Sequence, residues 1–154
     1  MTELKPLMTL LAQAEQERDA ALARHRGAQA THDAATRQAE QLLVYRRDYE
    51  QRWNEQFRQS GAIEVLHCYQ GFMQRLSAAV EQQARATQQA AVQVERAQVV
   101  VREHELRVAS VRKLIERRVD EHRRLGERLD QKRSDEFAMR ASRNRPAFGQ
   151  PTTY

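Results

Sequence analysis

No proline interrupts the chain between Leu7 and Arg145, and one seven-residue apolar rhythm runs through almost all of that span. Proline removes a backbone donor and clashes with the preceding turn, so its absence permits helix over a very long stretch. The rhythm says which kind of helix. From Leu4, alternating steps of three and four pass through Leu7, Leu11, Ala14, Ala21, Ala28, Ala35, Leu42, Tyr49 and Trp53 to Gln56. A second series starts at Leu66 and passes through Tyr69, Met73, Leu76, Val80, Val94, Val101, Val108, Val111 and Ile115 to Leu125 and Leu129. A mean step of about 3.5 residues sustained over many heptads is the pattern of a left-handed coiled coil.

Ser60-Gly61-Ala62 lies between the two series. A glycine there can take the left-handed conformation that ends a helix. The expected fold is therefore all-α: a long two-helix antiparallel coiled-coil hairpin with the second helix overhanging. Helix 1 is expected at about 4–59, the turn at about 60–62 and helix 2 at about 63–141. Residues 1–145 form one hairpin in this reading, and residues 146–154 a disordered tail. Helix 1 would be roughly 80 Å long at 1.5 Å per residue, and the overhang roughly 30 Å. A chain so extended encloses no pocket and works by touching other molecules.

A bend at Gly61 makes residues equidistant from it face each other. Leu7 then meets Ile115, Leu11 meets Val111, and Trp53 meets Tyr69. Ala14 meets Val108 and Ala21 meets Val101, small facing large as interdigitation requires. Two unrelated heptads need not agree in this way, which favours a hairpin over two independently dimerising helices. The middle is poorer, with His25 opposite Ala97, His32 opposite Ala90 and Ala39 opposite Gln83. Little apolar area is buried there, and the centre should be loose. His25 and His32 share a stripe, but alanine partners supply no further ligands. They read as polar residues that fix register, and no metal or cofactor is expected.

With 31% charged and 6% aromatic residues, the composition suits solvent-washed helices better than a thick core. No apolar run approaches the roughly 20 residues that span a bilayer, so no transmembrane segment is expected. No signal peptide is expected either, since the first residues lack its charged and apolar regions. Cys68 is the only cysteine, which excludes an internal disulfide and fits a reducing compartment. It reads as a small hydrophobe. The formal net charge is +5, and all of the excess lies in residues 112–145, with 12 basic against 7 acidic side chains. Interleaved acids such as Glu116, Asp120 and Glu127 allow helical ion pairs, and the remaining charge would attract an acidic surface.

Two surfaces stand out. Six of the nine aromatic residues fall between Tyr45 and Phe72. Tyr49, Trp53 and Tyr69 are explained as core. Tyr45 and Phe72 each sit one position before a seam residue, on shoulders that lie side by side in an antiparallel pair. Gln38 and Ala79 share that shoulder, and Leu42, Tyr49, Leu76 and Gln83 form the adjoining seam edge. Such a patch suits partner binding, unless Tyr45 and Phe72 merely lean over the seam. Replacing Phe72 and Leu76 together by alanine should then weaken binding and leave helicity unchanged. The second surface joins the N-terminal turns to the arginine-rich overhang. Nucleic acid is a rival ligand, but no groove-reading motif or aromatic interleaving accompanies the arginines, and none is expected to bind. No glycine-rich phosphate loop, spaced Cys/His set or nucleophile with its base is present, so no enzyme is expected.

The run from Arg128 to Arg140, Arg-Leu-Asp-Gln-Lys-Arg-Ser-Asp-Glu-Phe-Ala-Met-Arg, followed by Arg143 and Arg145-Pro146, closely resembles the C-terminal motif of the FliJ family. Leu42-Leu-Val-Tyr-Arg-Arg-Asp-Tyr49 resembles that family's first-helix segment before the turn. FliJ proteins belong to the bacterial flagellar type III protein-export apparatus. The resemblance implies an antiparallel coiled coil similar to the shaft of rotary ATP synthases. Its open end would enter the pore of the hexameric flagellar export ATPase. Its flank near the turn would contact the cytoplasmic linker of the export-gate membrane protein. Emptied export chaperones would be further partners. The resemblance also implies a role in flagellum biogenesis, motility and chemotaxis, at the cytoplasmic side of the inner membrane at the flagellar base.

Carried over by position, the gate-contacting set is Gln38, Leu42, Tyr45, Tyr49, Phe72, Leu76, Ala79 and Gln83, the last where the family leads one to expect histidine. The set expected at the ATPase ring is Leu4, Leu7, Arg123, Arg124, Arg128, Lys132, Arg133, Phe137 and Arg140. Two other readings stay open: the equivalent stalk of a virulence type III secretion system, and a generic coiled-coil dimerisation or nucleic-acid-binding protein.

Overall fold

The computed structural model describes residues 3–59 and 61–145. They form two helices packed against each other, α1 (Leu4–Gln59) and α2 (Ile63–Arg143), with no strand among the described residues. The chain is an all-α helical hairpin. Pro6 sits in the first turn of α1, where its missing N–H deprives the helix of no internal bond.

The junction differs from expectation in one respect. No described glycine has a positive φ, so Gly61 does not cap α1 in the left-handed conformation. The connection is built from the other side. The Leu66 N–H donates to the Ala62 carbonyl at 3.3 Å, which makes Ala62 the entry residue of α2. At the far end α2 runs two residues past the expected Ala141, to Arg143. The Asn144 N–H donates to the Arg140 carbonyl at 3.1 Å, continuing the helical pattern by one bond. The tail expected at 146–154 lies outside the described residues.

The contacts divide the chain into two compact units. The larger spans Ala12–Val108. Ala14, Ala21, Val101, Val108 and Leu76 are buried in it. Ala14 and Val108 lie equidistant from Gly61, as do Ala21 and Val101, so the small-against-branched alternation expected of the seam coincides with its best-buried positions. His25, His32, Ala35, Ala39 and Gln83 are half-buried. The Gln83 Nε2 amide donates across to the Ala35 carbonyl at 3.1 Å, a polar tie where apolar contact is thin. Glu17 makes a second tie. Its carboxylate lies 3.4 Å from Arg107 and 3.8 Å from His104, both on α2.

Near the turn the stripe moves. Gln56 and Leu66, expected in the seam, are exposed, whereas Phe57 and Val65 are half-buried. Phe57 and Val65 are again equidistant from Gly61, so the facing register is kept. An α-helix has 3.6 residues per turn, and a stripe counted at 3.5 drifts off the facing side. A step of four from Trp53, in place of three, restores it.

The other unit joins the first turns of α1 to α2 from Ala109 onward. Val111 is buried, and Leu4, Leu7, Leu11 and Ile115 are half-buried. Glu3 lies 3.8 Å from Arg118 and 3.9 Å from His122. Past His122 every described residue except Gly126 is exposed. This is the overhang: the seam stripe continues on α2 through Leu125 and Leu129, with no facing helix among the described residues of the unit.

Candidate partner interface

The six aromatic side chains of the larger unit form one connected array. Along α1, steps of four place Tyr45, Tyr49, Trp53 and Phe57 one above another. Successive ring centroids are 5.7, 6.0 and 6.0 Å apart. From α2, Phe72 stacks on Tyr49 at 4.3 Å, and Tyr69 lies 5.2 Å from Trp53 and edge-on to Phe57 at 5.7 Å. These separations fall in the range where aromatic pairs attract beyond simple area burial. The array ties the two helices together near the turn, with five rings half-buried and Tyr45 exposed.

The two shoulder residues therefore behave differently. Phe72 leans over the seam onto Tyr49 and is half-buried, whereas Tyr45 remains half in solvent at 51% exposure. Of the other shoulder and edge positions, Gln38 is exposed, and Leu42, Tyr49, Ala79 and Gln83 are half-buried. Leu76 is core, at 7% exposure. Gln83 has its amide committed to α1. The face open to a partner thus centres on Tyr45, Gln38 and the rims of Tyr49 and Phe72, and Leu76 supports it from beneath. In the sequence Trp53 and Tyr69 read as facing core residues, and Phe57 has no assigned place in the seam. Their four-residue spacing and their places opposite one another were the available signs that they belong to the same array.

On the overhang, Arg123 lies 3.7 Å from Asp120 and 3.9 Å from Glu127, so part of its charge is offset within α2. Arg124, Arg128, Lys132, Arg133 and Arg140 are exposed and make no ion pair with described residues. Phe137 is 75% exposed, and Leu125, Leu129 and Met139 are exposed elsewhere along the same stretch of α2. Leu4 and Leu7 are half-buried against α2 and offer only their outer edges. A basic helix with exposed apolar side chains can hold an acidic, partly apolar partner through charge and burial together. Among the described residues no helix is long and apolar enough to cross a membrane.

A family model described as Flagellar FliJ protein matches residues 3–147. Neither a curated protein nor a solved structure matches the chain.

Proposed function

The chain belongs to the FliJ family of flagellar proteins, and on that premise we propose that it serves flagellar type III export as a non-enzymatic stalk. In this reading the overhang and the first turns of α1 seat in the ring of the export ATPase. The aromatic face around Tyr45 contacts the cytoplasmic linker of the export gate. The chain thereby couples the state of the ring to the gate by contact alone, and it escorts emptied export chaperones. It works on the cytoplasmic side of the inner membrane at the flagellar base, without a metal, a cofactor or bound nucleic acid.

One observation carries the reading. The basic, apolar-studded end of α2 has no facing helix among the described residues of its own unit, and the family is one of flagellar export. An unpaired amphipathic helix rich in arginine is costly to leave bare and well suited to an acidic socket. The deciding experiment mixes the full chain with the flagellar export ATPase and measures co-purification and ATP hydrolysis. Binding with stimulated hydrolysis is expected. A chain that neither binds nor stimulates ends the proposal. Reversing Arg124, Arg128 and Arg133 to glutamate should abolish stimulation while leaving helicity intact.

A further inference from the structure

We infer that the outer face of α1 is self-complementary and pairs two copies of this chain antiparallel. A shallow depression on that face is lined by Arg37, Glu40, Gln41, Val44, Tyr45 and Asp48, all exposed. Arg37, Gln41, Val44 and Asp48 follow at steps of four, three and four, so they share one side of the helix. That side is turned away from the seam. Val44 is 53% exposed and forms the apolar centre of the patch.

Two observations point to the occupant. The side chains of Arg37, Glu40 and Asp48 make no ion pair or hydrogen bond with described residues, even though Glu40 follows Arg37 by three. The patch is also a palindrome. About the midpoint between Leu42 and Leu43, Arg37 mirrors Asp48, Glu40 mirrors Tyr45, and Gln41 mirrors Val44. A two-fold axis through that midpoint sets each residue against its mirror in the second copy, as an isologous contact requires. Arg37 then meets the partner's Asp48 twice over. The Tyr45 hydroxyl can donate to the partner's Glu40. One step further out, exposed Asp33 mirrors exposed Arg52 with opposite sign. No mirrored pair in this segment brings like charges together. Parallel pairing in register would set every charge against its own kind, which is strongly unfavourable. The patch is smaller than a standard interface, which places the dimer in a weak, concentration-dependent regime. The inference stands on this face alone and holds whether or not the export reading does.

Sedimentation equilibrium of the full chain, over about 10–500 µM at low and physiological salt, tests it. The wild type should show a monomer–dimer equilibrium. R37E sets an acidic side chain against the partner's Asp48, and D48R sets a basic one against the partner's Arg37. Each should weaken dimerisation about tenfold or more. The double variant R37E/D48R reverses both members of the pair and should return affinity to within about threefold of wild type. Circular dichroism serves as the folding control, since both positions are exposed. A chain that stays monomeric throughout, a dimer indifferent to the single changes, or a double variant as weak as the singles would each overturn the inference.

Discussion

Tyr49 of α1 and Phe72 of α2 stack with ring centroids 4.3 Å apart and planes 28° from parallel. The contact joins a seam residue to a shoulder residue across the pair, so the flank near the turn is tied to the core and cannot rotate independently of it. A partner that docks on this flank meets a surface already held in shape, which lowers the ordering cost of binding.

Tyr45 and Leu76 separate surface from support. Tyr45→Ala removes an exposed ring and should change unfolding free energy by less than about 1 kcal/mol. Binding to the isolated export-gate linker should fall by about 1–2 kcal/mol, read by titration. Leu76→Ala opens a cavity in the seam and should cost about 2–4 kcal/mol, read as a lower melting temperature. An alanine pair at Phe72 and Leu76 is therefore not a pure surface probe, contrary to the expectation from the helical shoulder alone.

Gly61 tests the junction. Its φ is not in the left-handed region, and a Cβ there would meet nothing within 4 Å. Gly61→Ala should raise stability by about 0.4–1 kcal/mol, by restricting the unfolded chain. A drop in melting temperature on this substitution would restore the left-handed cap.

Ala14 tests the packing of small against branched residues. It is 2% exposed, as is Val108. Ala14→Leu should destabilise the chain by about 1–3 kcal/mol through overpacking, while the same change at exposed Ala20 should be nearly silent. Chemical denaturation of both variants checks the contrast.

Glu17 tests the electrostatic tie. It lies within 3.4 Å of Arg107 and 3.8 Å of His104, but is itself 40% exposed. Glu17→Gln should cost less than about 1 kcal/mol, and the difference from wild type should shrink in molar salt. Thermal melts at two ionic strengths suffice.

The helical hairpin was legible in the sequence because three signals agreed: missing prolines, a heptad count, and a seam that stays consistent when folded about Gly61. The burial of Ala14 and Val108 and the contact of Trp53 with Tyr69 both follow from that count. The shift from Gln56 and Leu66 to Phe57 and Val65 was not, since a fixed 3.5-residue step hides the drift of a real helix. The conformation of Gly61 is not legible, because composition shows only what glycine permits. That Leu76 is buried and Tyr45 exposed follows from their seam and shoulder positions, whereas the leaning of Phe72 onto Tyr49 needed side-chain directions, which a heptad letter does not supply. The symmetry of Arg37 to Asp48 was written in the chain throughout, but it acquires meaning only once that face is seen to be open and its charges unspent.

Trp53 and Tyr69 are near neighbours along the chain, whereas Glu3 must find Arg118 and His122 from the opposite end of it. Loop-closure entropy favours the short loop first. On a ribosome the aromatic residues beside the bend can meet soon after they emerge, and closure then proceeds like a zipper. Glu3, the first described residue to be made, is among the last to find its place.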